Sequence, residues 1–287
     1  MREGEALRAL IEGADAVAKV TVDRVEGSAP RDTGAWMLVT PTALFQTIGG
    51  GALEHRAVAA ARAMLSEGGD RLSLAMPLGP EIGQCCGGRV TLSISRLGST
   101  ERAALIAEHG AALASRPAVF VFGAGHVGLA LSRALALLPL CPVLIDSREA
   151  MLAEAPEGVE TILTPLPEAV VRDAPAGAAF VVMTHDHATD FLITREALAR
   201  GDAAYVGLIG SQTKRGAFAG WLRRAGDGDL DTSALICPVG GRGIGDKRPS
   251  VIASFVAAEV MARLSLDTAT RHAQPSATGT IRHAVRR

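Results

Sequence analysis

The sequence predicts an α/β protein with a doubly wound parallel sheet in its C-terminal part and a smaller α+β domain before it. Residues 118–122 form an apolar, β-favouring run that breaks into a glycine turn, after which apolar residues recur at helical spacing. Residues 142–146 then form a second buried-strand pattern that ends in an acid. A strand, a glycine turn, a helix and a second strand are the unit from which Rossmann-like sheets are built.

The glycine turn has the spacing of a phosphate-binding fingerprint. Gly123 permits the tight turn, Gly125 lets a phosphate approach the backbone, and Gly128 lets the helix lie close to the strand. The helix begins around His126 and offers free N–H groups and the positive end of its dipole to an anion. Asp146 follows Gly128 by eighteen residues, where this fold places the carboxylate that holds a ribose. Fold alone does not identify the ligand, since such crevices bind many phosphate-bearing molecules.

The composition excludes several classes of protein. The chain has 287 residues, of which 48% are hydrophobic and 3% aromatic, and its formal net charge is -1. These values describe a globular chain long enough for two domains, without the basic surplus of a nucleic-acid-binding protein. The N-terminus lacks the apolar run of a signal peptide, and no apolar run reaches the length of a membrane span. We therefore expect a cytoplasmic protein that contacts neither nucleic acid nor membrane.

Changes in pattern along the chain predict four segments. Residues 1–100 combine helices with short strands and form the N-terminal domain. A helix over residues 101–116, stopped by an arginine–proline pair, is predicted to link this domain to the next one. Residues 117–264 form the Rossmann-like domain, and the polar residues 265–287 are expected to be a flexible tail.

Two adjacent thiols, Cys85 and Cys86, lie in a loop that continues with Gly87, Gly88 and Arg89. Glycine leaves backbone N–H groups uncovered next to sulfur, and the arginine adds positive charge, so the pKa of a thiol here is expected to fall. A vicinal pair in a reducing compartment indicates thiol or metal chemistry rather than a disulfide framework. The alternative is that both cysteines are simply packed, as free cysteines often are.

Two further helix starts are candidate anion sites. The first is preceded by three glycines, Gly49, Gly50 and Gly51. The second follows a buried strand and carries a serine and two bases, Ser211, Lys214 and Arg215. Each favours an anion at a helix N-terminus, although surface turns and a solvent-facing first turn would have the same composition.

A polar loop, THDHATD, follows the apolar strand over residues 178–183. It lies at the carboxyl end of a parallel strand, where open α/β sheets keep their ligands. His185, His187 and Asp190 could ligate a metal, but polar residues in such a loop more often bind substrate or cap the next helix.

Eight short motifs are distributed along the chain. They are GSAPRDTGAWMLV (27–39), TIGGGALE (47–54), GQCCGG (83–88), FGAGHVG (122–128), the strand end Asp146-Ser147-Arg148, THDHATD (184–190), YVGLIGSQTKR (205–215) and GIGDKRP (243–249). Through them the sequence resembles the XdhC/CoxI family, accessory proteins for molybdenum hydroxylases, over about residues 15–263. It departs from the family where Arg248 replaces a more usual threonine and where Gly240-Gly241-Arg242 replaces a more apolar lead-in.

The resemblance implies a chaperone for cofactor insertion rather than an enzyme. Such a protein binds molybdenum cofactor (Mo-molybdopterin), holds it during sulfuration and delivers it to apo xanthine dehydrogenase. The implied partners are the molybdenum subunit of the dehydrogenase, a cysteine desulfurase and proteins of molybdenum cofactor biosynthesis, and a homo-oligomer is expected. Cys85 or Cys86 is the candidate contact to molybdenum or to transferable sulfur. The candidate cofactor-binding residues are Gly49, Gly50, Gly51, Cys85, Cys86, Gly87, Gly88, Gly123, Gly125, His126, Gly128, Asp146, Arg148, His185, Ser211, Lys214 and Arg215.

Two other functions fit part of the sequence. The unit from Gly123 to Asp146 also suits an NAD(P)-dependent oxidoreductase, but the remaining motifs show no hydride-acceptor site with a paired acid and base. A nucleotide-sensing module without catalysis is the second alternative. Spectra with NADH and with molybdenum cofactor separate the three functions.

Overall fold

The computed structural model describes residues 3–79, 87–241 and 245–273, with side chains as far as residue 265. The chain divides into two compact units, residues 1–115 and 116–287. In the described ranges, no helix combines the length and the apolar character that a membrane span requires.

The first unit contains an antiparallel sheet with helices packed on it. Its strands are β1 (Ala18–Glu26), β2 (Trp36–Val39), β3 (Leu44–Gln46), β4 (Arg71–Pro77) and β5 (Arg89–Arg96). Its helices are α1 (Glu3–Glu12), α2 (Gly51–Ser66) and α3 (Ser99–Ala114). The strands pair in the order β3-β2-β1-β5-β4, and every pairing is antiparallel. This arrangement is the smaller α+β part that the sequence predicts.

The central strand β1 shows why α2 covers this sheet. Ala18, Val20 and Val22 are buried, whereas the residues between them are partly exposed, so one face of the strand is apolar. These side chains pack with Leu53 and Ala57 of α2 in one hydrophobic cluster. The alternation of buried and partly exposed residues along β1 therefore determines which face of the sheet α2 covers.

Helix α3 belongs to the core of the first unit. Leu105 of α3 packs with Leu7 and Ile11 of α1. The Arg102 guanidinium also donates a hydrogen bond of 3.2 Å to the backbone carbonyl of Ile11, near the end of α1. The helix predicted over residues 101–116 therefore forms as α3, and it packs with α1 within the N-terminal unit.

The second unit contains a six-stranded parallel sheet. Its strands are β6 (Ala118–Phe122), β7 (Cys141–Asp146), β8 (Glu160–Leu163), β9 (Ala179–Val182), β10 (Tyr205–Leu208) and β11 (Leu235–Ile236). Its helices are α4 (His126–Leu135), α5 (Glu149–Leu152), α6 (Pro167–Asp173), α7 (His187–Ala199), α8 (Gln212–Ala225) and α9 (Pro249–Ala273). The strands pair in the order β11-β10-β9-β6-β7-β8. Numbered from β6, this is the 3-2-1-4-5-6 order of dinucleotide-binding sheets.

Both faces of the parallel sheet are covered by helices. Val119 and Val121 of β6 point to the cluster formed with α4 and α9, and Phe120 and Phe122 point to the cluster formed with α6, α7 and α8. Alternate residues of a strand lie on opposite faces, so a strand that is apolar throughout must be buried on both sides. The prediction of a doubly wound, Rossmann-like sheet is confirmed.

Helix α9 extends beyond residue 264, where the sequence predicts that the Rossmann-like domain ends. It runs from Pro249 to Ala273, so residues 265–273, predicted as the start of a flexible tail, are helical. The sequence has no glycine or proline between Pro249 and Pro275 to stop the helix earlier. The polar composition that suggested a tail is therefore compatible with a helical backbone as far as Ala273.

Candidate functional site

The loops after β6 and β9 lie side by side at the carboxyl edge of the parallel sheet. The Gly123 N–H donates to the Ile145 carbonyl at 2.8 Å, and the Met183 N–H donates to the Phe122 carbonyl at 2.9 Å. The order of the strands changes direction between β6 and β9, and open α/β sheets bind ligands in the crevice at such a point. The glycine turn and the THDHATD loop therefore lie where this fold places a ligand.

Each glycine of the turn has a different steric environment. A Cβ atom at Gly128 would lie 1.8 Å from the Gly123 carbonyl oxygen, and a Cβ atom at Gly123, where φ is +112°, would lie 2.4 Å from the Met183 carbonyl oxygen. These two positions require glycine for close packing and for backbone conformation. At Gly125 a Cβ atom would meet nothing within 4 Å. Gly125 thus leaves open space in front of α4, at whose first residue the exposed His126 lies.

The carboxylate of Asp146 connects the end of β7 to the glycine turn. It accepts hydrogen bonds from the Ala124 N–H at 2.7 Å and from the Arg148 guanidinium, through Nε and a terminal nitrogen, both at 2.8 Å. Burial alone would raise the pKa of Asp146, but the hydrogen bonds from Arg148 and Ala124 hold it below the usual value of a carboxyl. The expected ribose acceptor is therefore already engaged on both oxygens. The Arg148 side chain remains 39% exposed, so it can still meet an anion.

The THDHATD loop uses its acids within the fold. Asp186 caps α7, where its carboxylate accepts from the Thr189 N–H and hydroxyl, both at 2.7 Å. Asp190 is fully buried and accepts from the Thr184 N–H at 2.8 Å. His185 is exposed, as is the other histidine of the loop. No group of three potential metal ligands occurs in the part of the chain that the structure describes, and capping is the role that Asp186 takes.

The predicted phosphate contacts at the start of α8 are engaged in other interactions. The Lys214 ammonium pairs with the buried Asp190 carboxylate, and the Lys214 side chain is only 11% exposed. Arg215 donates to the Leu235 carbonyl at 2.8 Å, and the Ser211 hydroxyl accepts from the Lys214 N–H at 3.4 Å as the cap of the helix. In the structure, the charged side chains that suggested a ligand site here connect α8 to α7 and to β11. Neither motif alone indicates this pairing, because Asp190 and Lys214 lie in different helices, α7 and α8.

The three-glycine start of α2 contains an anion that the chain itself supplies. The Glu54 carboxylate accepts from the Ile48 N–H at 3.1 Å and from the Gly50 N–H at 3.2 Å, and it also accepts from the Thr47 hydroxyl. The predicted preference for an anion is thus met within the helix. Gly49 is required sterically, since a Cβ atom there would lie 2.5 Å from the Pro30 side chain, and Gly51 begins the helix.

The cysteine loop is described only from its last two glycines onward. Gly87 donates to the Leu78 carbonyl at 2.8 Å, and a Cβ atom at Gly88 would lie 2.2 Å from the Ser28 carbonyl oxygen. Gly88 therefore allows a close approach of two backbone segments, whereas a Cβ atom at Gly87 would meet nothing within 4 Å. The predicted thiol site at Cys85 and Cys86 lies outside the described residues.

Comparisons with known proteins agree with this architecture. Residues 119–260 match the XdhC Rossmann domain, and residues 10–75 match the XdhC and CoxI family. The chain is 28% identical over 247 residues to the uncharacterized protein YqeB of Escherichia coli K12, with 82% of this chain and 41% of that relative covered. It thus spans about two fifths of the length of that relative.

A solved structure shares the fold over almost the whole chain. It is a crystal structure described as a xanthine dehydrogenase from Bacillus halodurans, and it has a TM-score of 0.78 with 17% identity, covering 97% of this chain and 98% of that one. At this identity the likeness shows the fold alone. The two matched regions, which lie in the two units of the fold, show that this chain belongs to the XdhC and CoxI family.

Proposed function

We propose that this chain binds molybdenum cofactor, holds it while a terminal oxygen is exchanged for sulfur, and delivers it to apo xanthine dehydrogenase. Membership of the XdhC and CoxI family supports an accessory role for xanthine dehydrogenase. The observation that carries the finer proposal is the open space at Gly125, at the N-terminus of α4. An anionic group of the cofactor can approach the backbone there without meeting a side chain.

The residues around Gly125 suit the terminal phosphate of the cofactor. The first N–H groups of α4 carry the positive end of the helix dipole, and the exposed His126 and Arg148 side chains add donors at the same edge of the sheet. Asp146 holds Arg148 through two hydrogen bonds and so restricts the orientation of the guanidinium. When bound, the cofactor supplies the molybdenum centre whose terminal ligand is exchanged. This chain would bind, orient and later release it.

The partners of such a protein follow from its task. A cysteine desulfurase would supply sulfur, proteins of molybdenum cofactor biosynthesis would supply the cofactor, and the molybdenum subunit of the dehydrogenase would receive it. A cytoplasmic location and a homo-oligomeric state are part of the same proposal. A carrier must release what it binds, so an open site in which few side chains contact the ligand suits this role.

The delivery step can be tested by titration. Purified protein loaded with sulfurated cofactor is mixed with apo xanthine dehydrogenase, and the recovered dehydrogenase activity is measured. We expect activity to rise up to about one equivalent of loaded protein per site and then level off, as for tight binding above Kd. Full reconstitution by a small catalytic amount, without reloading, would reject the carrier role. Equal reconstitution by free cofactor would reject any role in insertion.

Cys85 and Cys86 are proposed to hold the cofactor or its sulfur rather than to stabilise the fold. Each is replaced by alanine and by serine, and the melting temperature and cofactor content are compared with those of Cys141→Ser, a cysteine at the start of β7. We expect cofactor content to fall while the melting temperature changes little. Loss of several kcal/mol of stability, as in core truncations, with normal binding by the folded fraction would show that the pair is structural.

Strand order favours a second candidate, an NAD(P)-dependent oxidoreductase. The 3-2-1-4-5-6 order and the glycine turn are those of dinucleotide-binding sheets. Against it, the Asp146 carboxylate is occupied by Ala124 and Arg148, so a ribose diol would have to displace one of them. Absorbance spectra of the purified protein with NADH and with molybdenum cofactor distinguish the candidates. NADH oxidation coupled to any acceptor would favour the oxidoreductase.

A further inference from the structure

A cavity of about 520 Å³ opens at the carboxyl ends of β10 and β11, beside the starts of α8 and α9. Its volume lies within the roughly 300–1,000 Å³ of small-molecule sites. The residues that line it in the described part of the chain include none of the glycine turn over residues 123–128. The cavity is therefore separate from the glycine turn, although it lies at the same edge of the sheet, where this fold binds ligands. We call it the β10–β11 cavity.

One wall of the β10–β11 cavity is apolar and held by the core. It consists of Ile209, Pro238, Val239 and Ile252. Val239 is only 7% exposed and belongs to the hydrophobic cluster under α4 and α9, against which Ile209 and Ile252 also pack. A wall fixed in this way does not need to be ordered by a ligand. It offers apolar surface to one face of a planar ring.

The charges around the cavity are unequally compensated. The Asp246 carboxylate accepts from the Arg248 N–H at 2.9 Å and from the Arg248 guanidinium at 2.8 Å, so this acid is already neutralised. The Ser211 hydroxyl accepts a hydrogen bond from the Lys214 N–H as the N-cap of α8. Lys247, an exposed lining residue, has no hydrogen-bond or ion-pair partner among the residues that the structure describes. The uncompensated charge at the cavity is therefore positive.

We propose that the β10–β11 cavity binds a planar aromatic anion of about the size of a mononucleotide. The ring lies on the apolar wall, and the acidic group meets the Lys247 ammonium at the mouth. Burying the ring against Ile209 and Ile252 supplies most of the affinity, and the charge selects anions over neutral or cationic rings. This site is separate from the one proposed for the phosphate of the molybdenum cofactor, so it does not depend on that function.

The test measures binding of two probes to the whole protein. One probe is adenosine 5′-monophosphate, followed by calorimetry, and the other is 8-anilinonaphthalene-1-sulfonate, followed by fluorescence. We expect Lys247→Glu to weaken both by at least tenfold and Lys247→Arg to keep them within a few-fold. Arg224→Glu, the same charge change on the exposed last turn of α8, serves as control and should leave binding unchanged. Gly125→Val should also leave it unchanged.

Three outcomes would overturn the proposal. The first is that the wild-type protein binds neither probe. The second is that Lys247→Glu and Arg224→Glu weaken binding equally, which would indicate only a general charge effect. The third is that Gly125→Val abolishes binding while Lys247→Glu does not, which would place the probes at the glycine turn. Loss of molybdenum cofactor in Gly125→Val with retained probe binding supports both proposals separately.

Discussion

Two substitutions in the same glycine turn should have opposite consequences, because Gly128 is packed and Gly125 is open. In Gly128→Ala the new Cβ atom would lie 1.8 Å from the Gly123 carbonyl oxygen, where about 3 Å is the closest real approach, so α4 must move by more than 1 Å. Overpacking of this kind costs about 1–3 kcal/mol, and the better helix propensity of alanine returns at most about 1 kcal/mol. We therefore expect a net loss in the free energy of unfolding that reaches about 2–3 kcal/mol at the upper end of this range.

In Gly125→Val the new Cβ atom meets nothing within 4 Å, and the backbone, with φ of -75° and ψ of -177°, suits any residue. Losing a glycine at the N-cap costs about 1 kcal/mol or less. The valine does, however, fill the space that a phosphate would occupy. We expect a protein of nearly normal stability that no longer retains molybdenum cofactor.

The assay combines urea unfolding with the cofactor content of each purified variant. The expected pattern is a lower midpoint for Gly128→Ala and an unchanged midpoint with loss of cofactor for Gly125→Val. Normal cofactor content in Gly125→Val would show that the space at the turn is not the phosphate site. Equal destabilisation by both substitutions would refute the steric distinction between the two glycines.

Two further predictions concern buried polar pairs of the second unit. Lys214→Met leaves the fully buried Asp190 carboxylate without its partner, so the free energy of unfolding should fall by about 3–5 kcal/mol, and urea unfolding should show recovery when Asp190→Asn is added. Burial and the Glu259 carboxylate raise the pKa of Tyr205 in the folded state above its usual value of about 10. The protonated Tyr205 therefore contributes fully to the free energy of unfolding below pH 10, and this contribution is lost as the pH rises further. Tyr205→Phe should therefore unfold with a weaker pH dependence above pH 10 than the wild type, and an equally steep loss in both would contradict this assignment.

The sequence predicts the second unit well because its signals are local. A run such as residues 118–122 is apolar throughout, which requires burial on both faces, and a glycine turn followed by a helix fixes the direction of the next crossover. Because successive strand–helix–strand units are joined by right-handed crossovers, their order along the chain allows only a few sheet topologies. The helix over residues 99–114 was predicted as a helix, but the unit in which it packs was harder to predict, because its core contacts involve α1, which is distant in sequence.

The candidate site could be predicted only in part, because the pairing of charges is not local. Lys214 and Asp190 are separated in sequence by most of α7 and by the strand β10, and nothing in either motif indicates that they form a buried pair. A base at a helix start has the same appearance in sequence whether it meets a phosphate or a carboxylate of its own chain. Glu54 shows the same ambiguity at α2, where the chain supplies the anion.

These pairings change what kind of ligand recognition the edge of the parallel sheet can provide. Asp190 pairs with Lys214 and Asp146 orients Arg148, so the groups left for a ligand at the glycine turn are the backbone at Gly125 and the exposed side chains of His126 and Arg148. Backbone N–H groups and two exposed side chains bind an anion without enclosing it, which keeps dissociation fast relative to a site with several buried charge pairs. For a protein proposed to transfer its cofactor to another, such a site holds the phosphate while leaving the receiving protein a contact surface. A buried cation introduced beside the glycine turn should accordingly lower the rate at which the cofactor dissociates, and thereby slow its delivery to the receiving protein.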